Sequence, residues 1–244
     1  MTQLPYDKSL LIIPTYNEIA NIEKMLTTVT ELYPQLHILI IEDGSPDGTA
    51  EVVKNFMKEN EHINMIERQG KLGLGTAYIT GFKWALERDF QFVFEMDCDF
   101  SHDPKDIKNL LQAAQSSDLV IGSRYLDGIR IINWPMKRLL LSYFAGVYTR
   151  FITGLGVTDT TGGFKCFTRR ALESINFNKI FSNGYSFQIE LNFKIWAQGL
   201  KIQEVPIIFT ERRDGESKMG GSIIYEAVFA VIKLRLKKIL GILN

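Results

Sequence analysis

The sequence predicts an α/β domain, with a mostly parallel central sheet flanked by helices. Three observations carry that prediction. Short β-branched or aromatic runs alternate with longer amphipathic segments, the segments that follow the runs are unusually polar, and the 244 residues include 45% apolar side chains. Chains of up to about 250 to 300 residues can still share a single core. Strands are predicted at 9–14, 37–42, 64–67, 90–96 and 119–122, and helices at 19–33, 49–59, 76–88 and 104–114. Pro104 suits a first helical turn, where a missing N–H costs nothing. Ligands of such sheets bind beyond the carboxyl ends of the strands, so the segments after each strand are where function is sought.

Composition narrows the function classes. Lys plus Arg and Asp plus Glu balance at 28 each, so no net field favours nucleic acid. Cys98 and Cys166 stand far apart in no metal-like spacing, which points to a reducing compartment and to packing roles. The first nine residues lack the basic and apolar pattern of a secretory signal, and the chain is expected to stay in the cytoplasm. No stretch free of charged side chains exceeds eleven residues, as at 72–82 and 139–149. A spanning helix needs about 20 apolar residues, so integral insertion is not expected.

The most informative segment is the apolar run that ends in Asp97-Cys98-Asp99. If the strand continues, both carboxylates face one side, where a hard divalent ion can bridge them to a diphosphate. A solvated Asp-x-Asp turn is the competing reading for the pair alone. After the first strand come Pro14-Thr15-Tyr16-Asn17-Glu18. There Tyr16 can stack on a base and Glu18 can accept from ribose, or Asn17 simply caps the helix while Tyr16 packs. Asp43-Gly44-Ser45-Pro46-Asp47-Gly48-Thr49 follows the second strand as a turn, with Asp43 placed at the strand tip to hold a base or ribose. Lys71-Leu72-Gly73-Leu74-Gly75-Thr76-Ala77 looks like a phosphate cradle, yet it has neither the P-loop ending nor the GxGxxG spacing.

Taken in order, these strings resemble the dolichyl-phosphate mannose synthases, polyprenyl-phosphate mannosyltransferases within the family-2 inverting glycosyltransferases of the GT-A fold. Gly122-Ser123-Arg124-Tyr125, Asp159-Thr160-Thr161-Gly162-Gly163-Phe164, Gly184-Tyr185-Ser186-Phe187-Gln188-Ile189-Glu190, Glu204-Val205-Pro206-Ile207 and Arg212-Arg213-Asp214-Gly215-Glu216-Ser217-Lys218 extend the resemblance to residues 9–221. It implies a catalytic domain over 1–221, with a nucleotide-binding half at 1–122 and an acceptor-binding half at 123–221. A C-terminal amphipathic helix would follow at 222–244. It implies that Pro14, Tyr16, Glu18 and Asp43 hold the nucleoside of GDP-mannose. Asp97 and Asp99 would hold Mg2+ or Mn2+, with Ser101 as a weaker or water-mediated ligand. Arg124 and Arg138 resemble the cations for the acceptor phosphate, and Arg212 and Lys218 those of a loop closing on the diphosphate or sugar. Asp159, Gln188 and Glu190 are candidates for orienting sugar hydroxyls, with packing or loop capping equally open.

The resemblance also implies a lipid acceptor, a polyprenyl phosphate, and therefore contact with a membrane. The stretch 131–157, rich in aromatic and aliphatic residues with Lys137, Arg138 and Arg150 interspersed, can lie in the interface, as can 223–243. Two ordinary docked helices are the alternative. The chain resembles the short members of the family, which sit peripherally on the cytoplasmic face or rely on a separate membrane-anchoring subunit. Rival readings are a UDP-glucose-dependent polyprenyl-phosphate glucosyltransferase, a non-catalytic nucleotide-sugar-binding scaffold, and a sugar nucleotidyltransferase. The last requires a basic glycine-rich loop directly after the first strand, which Pro14-Thr15-Tyr16-Asn17-Glu18 is not.

Overall fold

The structure is a computed structural model that describes residues 4–211 and 221–243. Its elements run β1 (Ser9–Thr15), α1 (Ile22–Leu32), β2 (His37–Glu42), α2 (Thr49–Glu59), β3 (Ile63–Glu67), α3 (Leu74–Leu86), β4 (Phe92–Glu95), α4 (Ile107–Ala114) and β5 (Leu119–Ser123). There follow β6 (Ile131–Ile132), α5 (Met136–Thr153), β7 (Lys165–Thr168), α6 (Arg169–Glu173), α7 (Gly184–Ala197), β8 (Ile202–Pro206), β9 (Phe209–Thr210) and α8 (Gly221–Ile239).

Among the described residues the main sheet has seven strands in the order β3-β2-β1-β4-β7-β5-β8. All neighbours pair in parallel except β7, which runs antiparallel between β4 and β5. Alternation along β1 explains the layering. Leu11 and Ile13 face one core with Ile22, Leu26 and Val53, while Leu10 and Ile12 face the other with Tyr78, Phe82 and Phe187. Helix α3 lies so close to β1 that a Cβ at Gly81 would sit 2.7 Å from Ile12 Cδ1, which reserves that position for glycine.

Helix α7 is buried on both sides. Phe187, Leu191 and Ile195 pack toward the sheet, and Ile189 and Phe193 form a third cluster with Val231, Leu234 and Leu243. Among the described residues no helix is long and apolar enough to cross a membrane. Helix α5 nonetheless exposes Met136, Leu140, Tyr143, Phe144, Val147 and Phe151, the last at 85%. Helix α8 exposes Phe229, Ile232, Leu236 and Ile239.

The antiparallel β7 shapes what lies at the sheet's carboxyl edge. The loop that precedes an antiparallel strand arrives at the same edge as the loops that follow its parallel neighbours. Residues 159–163 therefore meet the segment after β5, and Lys165 pairs in register with Glu95 at the end of β4.

Candidate active site

The carboxyl ends of the parallel strands and the start of β7 meet at this edge. After β4 the predicted strand stops short: it ends at Glu95, so the Asp97 and Asp99 carboxylates sit on a turn rather than on one face of a continuing strand. Beyond the strand, Phe100 takes a left-handed φ of +57°, a conformation costing of order 1–3 kcal/mol for a bulky residue. That turn folds Ser101 back, so its backbone N–H and hydroxyl donate to Asp99 Oδ1 at 3.0 and 2.6 Å. Asp97 remains 39% exposed, accepts from the Tyr78 hydroxyl at 3.4 Å and lies 4.0 Å from His102 Nδ1. Burial and the Asp97 charge hold the Tyr78 proton firmly on its oxygen. Burial likewise pushes His102 down to about 4, which leaves a neutral ring at neutral pH. Two hard carboxylates on one partly open turn suit a divalent cation such as Mg2+ or Mn2+.

Next to them, Tyr16 is exposed on the loop after β1, with Lys71 Nζ 4.5 Å from its ring centre. The glycine-rich loop thus crosses to the β1 loop. Pro14 is partly buried at the strand end, and Glu18 accepts from Asn21 Nδ2 at 2.8 Å. Asp43 is not open at the strand tip: Arg68 grips it with Nε and Nη2 at 2.6 and 2.7 Å, both side chains 8% exposed. Arg68 Nη1 also reaches Thr76 Oγ1 at 2.8 Å, tying Asp43 to the start of α3. Glu42, one residue earlier, accepts from the N–H groups of Gly44 and Ser45 and so fixes the turn.

Arg124, after β5, is 5% exposed. Asp159 receives its Nε and Nη2, each at 2.7 Å, and its backbone N–H at 3.0 Å, while Thr161 Oγ1 accepts from Nη2 at 2.8 Å. Burial alone raises a carboxyl pKa, but Arg124 and the N–H donors outweigh it and hold Asp159 below the usual carboxylate range. Asp159 is thereby committed to Arg124. Arg138, on α5, stacks over Trp134 at 4.1 Å and pairs with Glu211. Trp134 also lies 5.5 Å from Arg124 and packs edge-on against Phe209, so one indole bridges the two cations. The short β6·β9 pair and the Thr210 N–H bond to Ser101 O bring this cluster to the Asp97–Asp99 turn.

Gln188 and Glu190 lie deep in α7. Gln188 accepts from Lys165 Nζ, and Glu190 accepts from the Ser182 hydroxyl and from the N–H groups of Phe181 and Ser182. Arg212 and Lys218 fall outside the described residues. A cavity of about 260 Å³ opens beside Arg124. Trp134, Thr161 and Tyr185 surround its cationic end, and Phe144, Ile189 and Val231 line its apolar body. Arg68, Tyr78, Trp134, Lys165 and Glu211 were invisible as site residues in the sequence. Arg68 alone had a usable signal, since it directly follows the third strand.

A mostly parallel sheet flanked by helices, with a carboxylate turn, a polar loop and two arginines at its carboxyl edge, is a GT-A-type fold. The chain belongs to glycosyltransferase family 2: the pattern of that family, Glycosyl transferase family 2, matches residues 10–175. It is a glycosyltransferase by that membership. It is 42% identical to the polyprenol monophosphomannose synthase of Mycolicibacterium smegmatis, an alignment covering all of this chain and 94% of the relative. It is also 42% identical to the undecaprenyl-phosphate mannosyltransferase of Micrococcus luteus, over 92% of each chain. Among solved structures, glucosyl-3-phosphoglycerate synthase of Mycobacterium tuberculosis with phosphoglyceric acid superposes with a TM-score of 0.67 at 17% identity, covering 92% of this chain and 79% of that one. Its complex with Mg2+ and uridine diphosphate gives 0.66 at 18%, over 96% and 79%. Likeness at that identity concerns the fold.

Proposed function

We propose that this glycosyltransferase moves mannose from GDP-mannose to a polyprenyl phosphate with inversion, working at the cytoplasmic surface of a membrane. The observation that carries the reading is the cavity beside Arg124, cationic at one end and apolar along its body, which suits a phosphate joined to a hydrocarbon chain. The names of the two curated relatives support the same acceptor class and the same sugar. A cavity of about 150 Å³ takes a molecule the size of benzene. The cavity here is larger and takes the first isoprene units, while the rest of the lipid stays in the bilayer.

On this reading Asp97 and Asp99 would hold a divalent ion, with Ser101 fixing Asp99. A bound ion supplies Lewis-acid stabilisation of the leaving diphosphate. Pro14, Tyr16, Glu18 and Asp43 hold the nucleoside, with Arg68 fixing the Asp43 carboxylate. Arg124, immobilised by Asp159, presents a fixed positive charge to the acceptor. Arg138 is the more adaptable cation, because Glu211 is a partly exposed partner that an arriving phosphate dianion can replace. A phosphate oxygen forms the new bond to the anomeric carbon from the face opposite the leaving group as the bond to GDP breaks. A phosphate monoester with a second pKa near 6 is substantially dianionic at neutral pH, so no protein base takes up a proton. The neutral His102 is consistent with that chemistry.

Incubation of purified protein with labelled GDP-mannose or UDP-glucose, Mn2+ and a short polyprenyl phosphate, followed by lipid extraction, tests the reading. Label enters the lipid phase from GDP-mannose, and Asp99→Ala abolishes it while the circular dichroism spectrum is kept. Label from UDP-glucose alone replaces the donor assignment, and none from either donor refutes the reading.

A further inference from the structure

Beneath the Asp97 turn lies a buried charge pair that the transfer chemistry leaves unused. Glu95 and Lys165 are each 0% exposed and face one another across the β4·β7 register, which places both side chains on the face covered by α3 and α7. Lys165 Nζ donates to Gln188 Oε1 and lies 3.4 Å from the Gln188 carbonyl oxygen. An ammonium can only donate, so the amide oxygen must turn toward Lys165 and the amide nitrogen away from it. That nitrogen faces the Glu95 carboxylate. Among the described residues, neither Glu95 oxygen nor Gln188 Nε2 has a well-formed hydrogen bond. Burial drives the Glu95 carboxyl up and the Lys165 ammonium down, and the opposite charge of each restrains the other.

A buried ion pair is often no more stabilising than an apolar pair of the same shape, so its presence calls for another role. Glu95 stands two residues before Asp97, and Lys165 also feels the charges of Asp159 and Arg124. It also opens β7, directly after the loop whose Asp159 clamps Arg124. We propose that Lys165 is a positioning residue for the donor site: by compensating Glu95 and locking the Gln188 amide, it holds the Asp97–Asp99 turn in its binding geometry. Without Lys165 the Gln188 amide loses the donor that orients it, and the end of β4 that leads into Asp97 loses its tie to α7, which shifts the turn.

The inference rests on the reading of Asp97 and Asp99 as the donor clamp, and the experiment separates the two. Titration calorimetry measures GDP binding in the presence of Mn2+ for wild type, Lys165→Met, Lys165→Arg, Glu95→Gln/Lys165→Met and Asp97→Ala, with initial rates and thermal melts alongside. Lys165→Met weakens GDP binding and raises the donor KM by about 10-fold or more, the usual effect of removing a support behind a ligand, while the acceptor KM stays unchanged. Lys165→Arg, which keeps the charge and the donors, recovers most of the loss. The double variant leaves no buried charge unpaired and melts near wild type, yet keeps the weakened GDP binding. If Lys165→Met does not fold, the double variant decides. Wild-type GDP affinity in the double variant makes the pair purely structural and overturns the proposal. Wild-type affinity in Asp97→Ala overturns the donor reading itself.

Discussion

Asp43 and Arg68 show how one side chain sets the working geometry of another. A strand-tip carboxylate alone rotates freely, whereas a guanidinium fork bonded to both of its oxygens fixes its plane. Lysine offers the charge without the fork. Arg68→Lys therefore loses one charge-assisted hydrogen bond, worth about 1.5–3 kcal/mol. The expected result is a donor KM raised by about tenfold or more with an unchanged acceptor KM, measured by initial rates. Motif-bearing residues were legible: Tyr16, Asp43, Asp97 and Asp99 stand in polar strings directly after apolar runs. Arg68 and Lys165 were not, because each acts through a partner distant in the chain: the place of Arg68 after the third strand was a signal, but nothing local marks the carboxylate 25 residues away that it grips.

The strands and helices of the first half follow from periodicity, and β2 and α2 have the predicted bounds. The later elements are harder to read for a physical reason. Helix α7 is covered by the sheet on one side and by α8 on the other, so its polar and apolar residues are buried alike and the period that marks a surface helix disappears. Strand β7 has four residues, too few for alternation to show, and it inserts antiparallel where βαβ logic predicts a parallel neighbour. Helix α5 fits both alternatives raised by its sequence: it packs against α8 through Tyr148 and Ile152, and it leaves Phe144 and Phe151 exposed. Apolar burial contributes roughly 25 cal/mol per Å², so two exposed phenylalanines are a substantial share of any membrane affinity. Leu140→Ser with Phe151→Ser, both exposed and clear of the cavity, is expected to reduce co-sedimentation with phospholipid vesicles several-fold and to raise the KM for a long-chain acceptor only. Unchanged sedimentation removes α5 from the membrane contact.

Across the whole molecule, the sheet's carboxyl edge joins two charge systems, the Asp97 turn and the Arg124–Asp159 clamp, through the single antiparallel strand β7. The clamp also supports the fold. Asp159 has its pKa depressed below the ordinary 3.8 in the folded state, so its contribution is full above that value and is lost as pH falls through the lower folded value. Asp159→Asn, which leaves Arg124 buried without its anion, is expected to cost about 3 kcal/mol in urea melts at pH 6. The gap to wild type begins to narrow below about pH 4, where the unfolded wild-type chain takes up the proton, and closes only as pH falls through the lower folded value. A gap that stays constant down to pH 3 would mean that the clamp is not ionic. The central claim, inverting transfer of mannose to a lipid phosphate, is tested most directly by NMR of the extracted lipid product formed from GDP-mannose. Because the donor sugar is α-linked, the one-bond carbon–proton coupling at the anomeric centre of the new mannosyl phosphate should report the β configuration. An α-linked product would contradict attack opposite the leaving group, and the absence of a mannosylated lipid would contradict the account as a whole.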